Sequence, residues 1–277
     1  MAAPVQGYPL AGHPAQPAGR RLALVVEYDG TAYQGFQAQA GQPTIQGEME
    51  RALHRFTGEV IRIRGASRTD AGAHARGQVV DFLTCSAHPV DVFPRALNFY
   101  LPADIKVQAA CEVPPEFHSR KNATSRIYRY YILNRPWPSP LRRHACHPVK
   151  EPLDEAKMAA AARDLVGRHD FRSLATGYPA NRSTVRTVYR WDVWREDDTV
   201  ILECEANGFL RHQIRRASAL LIEIGKGRRP EGMIRDLLDG KLEGTVELPS
   251  VPGHGLCLMK VTYPNFCSQV RTANEKD

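Results

Sequence analysis

Ser67, Arg68, Thr69, Asp70, Ala71, Gly72, Ala73, His74 and Ala75 follow one another, setting a carboxylate beside a guanidinium among small residues. A carboxylate in such surroundings can act as a nucleophile or stabilise an electron-poor intermediate. Gly72 opens backbone conformations closed to other residues, and Ala71 and Ala73 leave room for a reactant to approach Asp70. An ordinary Asx-turn accounts for Thr69 to Gly72 equally well, so the tetrad alone leaves both readings open.

The stretch needs strands to hold it. Val60 to Arg64 alternates apolar and basic residues and Gly77 to Thr84 is a second strand, so the candidate residues fall in the connecting loop. Before them, Leu22 to Tyr28 reads as a buried strand ending at Asp29-Gly30. A helix then starts at Thr44, runs through Ile45, Met49, Ala52, Leu53 and Phe56, and stops at Gly58. A short helix over Asp91 to Leu101 and a strand over Ile105 to Val113 complete the order β-α-β-β-α-β, the ferredoxin-like unit. The second half follows the same order. Ser125 to Leu133 is a strand, Leu153 to Val166 a helix, Val185 to Trp194 and Val200 to Ala206 strands, Phe209 to Ile224 a helix, and Gly255 to Tyr263 the last strand. Pro230 to Leu238 adds one more helix. The expected fold is therefore α+β, two tandem ferredoxin-like units: a disordered leader over 1–20, halves at 21–115 and 116–265, and a polar tail at 266–277.

The leader is mostly Ala, Pro and Gly and lacks the basic start and apolar run of a secretory signal. No window approaches the roughly 20 apolar residues that span a bilayer, so a cytoplasmic protein with no membrane partner is expected. Six cysteines without a C-x-x-C pair suggest neither a disulfide framework nor a thiolate zinc site. His144-Ala145-Cys146-His147 places its candidate ligands too close together for a metal site and reads as a basic loop. No G-x-x-x-x-G-K-[ST] phosphate loop occurs. The formal charge is +7, and the cations cluster: Arg211, Arg215, Arg216, Lys226, Arg228 and Arg229; Arg142 and Arg143 with His144; and Arg62, Arg64, Arg68 and Arg76. Three such clusters favour a polyanion, because cations that meet phosphates release condensed counterions.

The run SRTDAGAHARGQVVDF resembles the catalytic motif of the tRNA pseudouridine synthase A family, usually G-R-T-D-A-G-V-H-A followed by a strand. Further segments resemble that family in the expected order: Tyr28 to Gln37, Arg126 to Tyr130, His169 to Phe171, Asn207 to Arg215, and Gly253 to Leu256. The likeness runs from about Leu22 to Tyr263. It implies a pseudouridine synthase fold with a central catalytic cleft, no cofactor and no metal. The implied activity is the isomerisation of uridine to pseudouridine at positions 38 to 40 of the tRNA anticodon stem-loop, by a homodimer whose subunits share one substrate.

By the same resemblance Asp70 is the catalytic aspartate and Arg215 its arginine partner. Arg68 engages the RNA and helps hold the target nucleotide out of its helix, a displacement that costs a few kcal/mol. Tyr128 is the pocket tyrosine and Leu256 the apolar residue packing the pocket's other side. Read from the strand pattern alone, Tyr128 and Leu256 are core residues and Arg215 decorates a basic helix. Ser67 stands where the family usually has Gly, Ala73 where Val is common, and Gln213 where Met is usual. Two other readings compete: an RNA-folding factor without chemistry, and a nucleoside hydrolase using Asp70 to release free uracil.

Overall fold

The computed structural model describes residues 19–177, 181–242 and 249–264. The expected leader falls outside the described residues as far as residue 18, and the polar tail falls outside them entirely. The first half contains β1 (Arg20–Tyr28), α1 (Ile45–Thr57), β2 (Arg64–Gly65), β3 (His74–Thr84), α2 (Val92–Tyr100) and β4 (Ile105–Val113). The second contains β5 (Ser125–Asn134), β6 (His147–Val149), α3 (Glu155–Ala162), β7 (Gly167–Asp170), β8 (Val185–Glu196), β9 (Thr199–Ala206), α4 (Gln213–Gly225), α5 (Met233–Leu238) and β10 (Leu256–Thr262).

One sheet runs through both halves in the order β4-β1-β3-β10-β5-β9-β8-β7, with β2 on β3 and β6 on β5. In the first half the order 4-1-3-2 is made by β4, β1, β3 and β2; in the second, β10, β5, β9 and β8 repeat it. The mixed α+β architecture follows from that repeat. The halves join where β3 and β10 run parallel, His74 opposite Cys257 and Ala75 opposite Leu258. This seam begins immediately after the Asp70 loop.

Local chemistry explains most elements. Thr44 Oγ1 accepts from the Gly47 amide at 3.2 Å and caps α1, Ile45, Met49, Ala52 and Leu53 bury one stripe, and Gly58 ends the helix at φ 74°. α4 buries Ile214, Ala217, Leu221 and Ile224 against the second half's core, each large apolar side chain worth roughly 1.5–3 kcal/mol when fully buried. α2 packs on β4, and α3 on α4 and β8. In β3 the carboxylate of Asp81 is fully buried, and Arg21 at 2.7 Å, Arg64 and the Ser119 amide at 2.9 Å all donate to it.

Several boundaries depart from the sequence reading. Ile61 and Ile63 are buried as their alternation predicts, yet ladder pairing in that strand is confined to Arg64 and Gly65. The helix expected from Phe209 begins at Gln213, because His212 takes a left-handed conformation at φ 63° that no helix continues through. The buried Gln213 side chain turns back and accepts from the Leu210 amide at 2.9 Å. The helix expected over Leu153 to Val166 is shorter: Asp154 caps it, and a 3-10 turn over Arg163–Leu165 ends it. Arg20 belongs to β1 rather than to a leader. The strands β6 and β7 lie outside every element expected from the sequence.

Candidate active site

Residues 66–73 link β2 to β3, and several segments hold this loop. The Phe36 amide donates to Thr69 O at 3.1 Å, and the Gly72 amide to Tyr33 O at 3.3 Å. Tyr28 OH and Thr69 Oγ1 are hydrogen-bonded at 2.8 Å. Gln78, buried in β3, grips Ser67 twice, accepting from its amide at 3.2 Å and donating to its carbonyl at 2.8 Å. The chain turns at Gly72, whose φ of 74° favours glycine, and the Ala73 amide donates to Asp70 O at 3.1 Å. A Cβ at Gly253 would overlap the Ala71 carbonyl, so only glycine lets the turn before β10 lie on this loop. His74 ties more segments together: its Nδ1 accepts from the Gly30 amide at 3.1 Å, and its Nε2 faces the carbonyls of His144 at 2.7 Å and His254 at 3.1 Å.

The Asp70 side chain presented by this loop is 22% exposed. From the other half of the molecule, Arg215 in the first turn of α4 reaches over the seam, its Nη1 at 2.9 Å from Asp70 Oδ2. The Arg215 Nε donates to Val251 O at 2.7 Å, so the guanidinium is fixed from two sides. His212 Nε2 lies 3.7 Å from the same Asp70 oxygen. Asp70 Oδ1 accepts no hydrogen bond from any described residue. A carboxylate held through one oxygen, with the other open, is arranged to attack a carbon or receive a proton.

Residues 24–120 and 161–264 match the family model described as tRNA pseudouridine synthase. Across 248 aligned residues the chain is 41% identical to the tRNA pseudouridine synthase A of Citrifermentans bemidjiense, covering 90% of this chain and 99% of that one. The chain belongs to the tRNA pseudouridine synthase A family. It is also 43% identical over 251 residues to the protein of that name from a Roseiflexus species, covering 88% of this chain and 91% of the relative. A solved archaeal box H/ACA Nop10–Cbf5 complex overlaps 73% of this chain and 44% of its own at 12% identity and a TM-score of 0.35, too loosely to carry an argument.

The remaining residues singled out for a pseudouridine synthase site lie as follows. Tyr128 on β5 is 5% exposed, faces Phe209 edge-on at 5.5 Å, and shares a hydrogen bond of 2.6 Å between its OH and Ser67 Oγ. Burial pushes the Tyr128 phenol well above its usual pKa. Ser67, the departure from glycine, thus adds a hydrogen-bond partner for Tyr128. Leu256 is buried at the start of β10 opposite Tyr130, on the sheet face that Tyr128 shares. Arg68 is exposed and makes no ion pair with any described residue.

The basic clusters are less free than their sequence suggests. Arg62 pairs with Glu50, Arg64 with Asp81, Arg142 with Asp198, and Lys226 and Arg228 with Glu223 and Glu151. Among the described residues no group of three or more His, Cys, Asp or Glu side chains is arranged to hold a metal ion. His147 is half-buried, and that desolvation, then His254 and Lys226, push its pKa down to about 4.

Two residues escaped the sequence reading. Arg126 is buried and donates to the carbonyls of Ala123, Asn207, Ala66 and Arg120, joining the foot of the Asp70 loop to the segment before α4. Its parity with Tyr128 and Tyr130 on β5 was the available signal. His212 was the other; it lies within the Asn207 to Arg215 segment, but no role is assigned to it there.

Proposed function

We propose that this chain converts uridine to pseudouridine in the anticodon stem-loop of tRNA, at positions 38 to 40, with Asp70 as the essential carboxylate. The observation that carries this reading is the Asp70–Arg215 pair, formed across the two halves and leaving one carboxylate oxygen open. Isomerisation requires the bond from C1′ to N1 to break, the base to turn while held, and a bond from C1′ to C5 to form, with no change in redox state. Arg215 keeps Asp70 oriented and favours its ionised form, Arg68 engages the RNA, and Tyr128 with Leu256 bounds the pocket for the extruded base. Residues 21–115 and 116–265 are kept as the two halves, since the same strand order repeats on either side of the seam.

The reading extends to a homodimer whose subunits share one tRNA, acting in the cytoplasm. No helix among the described residues is long and apolar enough to cross a membrane. The test uses purified protein and a tRNA transcript. Asp70→Asn and Asp70→Ala abolish pseudouridine formation while tRNA affinity stays close to that of the unaltered protein. Turnover near the unaltered rate would remove Asp70 from the mechanism. Free uracil without pseudouridine would make the chain a hydrolase, and binding without either product would make it an RNA-folding factor.

A further inference from the structure

After the new bond to C1′ forms, C5 is tetrahedral, carrying both the ribose carbon and its original hydrogen. The ring regains its C5=C6 double bond only when that hydrogen leaves as a proton. The C5–H electron pair returns to the ring, and N1, which receives electron density, takes a proton from solvent. Atoms and charge then balance, and some group must accept the C5 proton.

We propose that His212 Nε2 is that acceptor, an inference that rests on Asp70 being the catalytic carboxylate. Nε2 stands 3.7 Å from Asp70 Oδ2, so it borders the space in which a base held at Asp70 must turn. The position is held by an unusual backbone: His212 is left-handed at φ 63° and ψ 1°, directly before α4. Non-glycine residues occupy that region sparsely, and such outliers concentrate where a side chain must be aimed.

The neighbouring groups suit the role less well. Tyr128 is buried, its phenol is pushed up by burial, and its OH is already shared with Ser67. His74 has both ring nitrogens engaged. Arg215 is a cation with nothing to accept a proton. The charged groups facing His212 are Asp70 from the loop before β3, and Arg215, Arg211 and Arg216 from its own segment and α4. Burial first, then the three arginines, lower its pKa against the opposing pull of Asp70, so the free imidazole is neutral and able to receive a proton. Once protonated, it faces the Asp70 carboxylate, which stabilises the imidazolium.

The experiment compares tRNA carrying protium or deuterium at uridine C5, in single-turnover reactions of the full chain and of His212→Asn. Asn tolerates the left-handed backbone yet cannot serve as base. The expected result is a loss of about 100-fold or more in rate with unchanged tRNA binding, and a primary isotope effect larger in the variant than in the unaltered protein. A variant that turns over at the unaltered rate overturns the proposal. So does one that slows without a rise in the isotope effect, since His212 would then merely position its surroundings. If His212→Asn does not fold, the unaltered protein still decides: its isotope effect grows as acidification protonates His212, and a flat profile overturns the proposal. Absence of pseudouridine from the unaltered protein would instead end the functional reading itself.

Discussion

Asp70 and Asp81 are both aspartates paired with arginine, one before β3 and one within it, and they differ in what is left over. Asp81 is wholly buried, and Arg21, Arg64 and the Ser119 amide occupy both of its oxygens. Asp70 is 22% exposed, and Arg215 engages one oxygen while the other stays open. A buried carboxylate must have its lone pairs answered or it destabilises the fold. A reactive one must keep a lone pair for the substrate. An aspartate–arginine pair therefore does not identify a catalytic group; the unfilled oxygen is what separates Asp70 from Asp81.

The largest effect that would test this contrast is on stability. Asp81→Asn leaves Arg21 and Arg64 without their carboxylate and costs about 3–5 kcal/mol, read from urea unfolding, while the rate per folded molecule holds. Burial alone would raise the Asp81 pKa, but hydrogen bonds from Arg64, Ser119 and Arg21 outweigh it and hold the group below 3.8. Because the folded value is depressed, the stabilisation is complete above the unfolded value and is lost as pH falls through the folded one. The Asn variant therefore loses less stability on acidification than the unaltered protein. A variant that folds normally but loses turnover would break the contrast.

Next in size is Arg215→Ala, which frees Asp70 to swing without exposing a buried charge. The expectation is a fall of about 100-fold in the single-turnover rate, the scale of a 1 Å misplacement, with little change in unfolding free energy. Arg215→Lys recovers only part of it, since an ammonium cannot hold Val251 O and Asp70 in one planar fork. A loss of several kcal/mol in stability would mean that this pair is structural like that of Asp81.

The difference between the two aspartates was only partly legible in the sequence. α1 was readable because its cap at Thr44, its apolar stripe and its stop at Gly58 are all local. β4 was readable for the same reason, its span of Ile105–Val113 standing clear between loops. The parallel join of β3 to β10 was not, because residues so distant in sequence leave no periodic trace of their pairing. Apolar spacing carried the helix back to Phe209, whereas the left-handed turn at His212 depends on the fold around it. The loop at Asp70 stood out by composition and resemblance. The burial of Asp81 did not, since a charged residue in a strand pattern reads as outward-facing until Arg21, Arg64 and Ser119 are seen to converge on it.

The smallest effect separates platform from chemistry at the tyrosine beside Asp70. Tyr128→Phe keeps the ring that would stack on an extruded base and removes the hydroxyl shared with Ser67. Losing one buried hydrogen bond costs about 1 kcal/mol, seen as a small drop in the unfolding midpoint. Since burial already keeps the phenol protonated, the rate should fall no more than a few-fold. Ser67→Ala should give a similar loss, and the double variant little more than either, because each removes the same bond. Abolished turnover in Tyr128→Phe would instead show the hydroxyl taking part in proton transfer, transferring to Tyr128 the role argued for His212. The acceptor for the C5 proton would then lie on β5 rather than before α4.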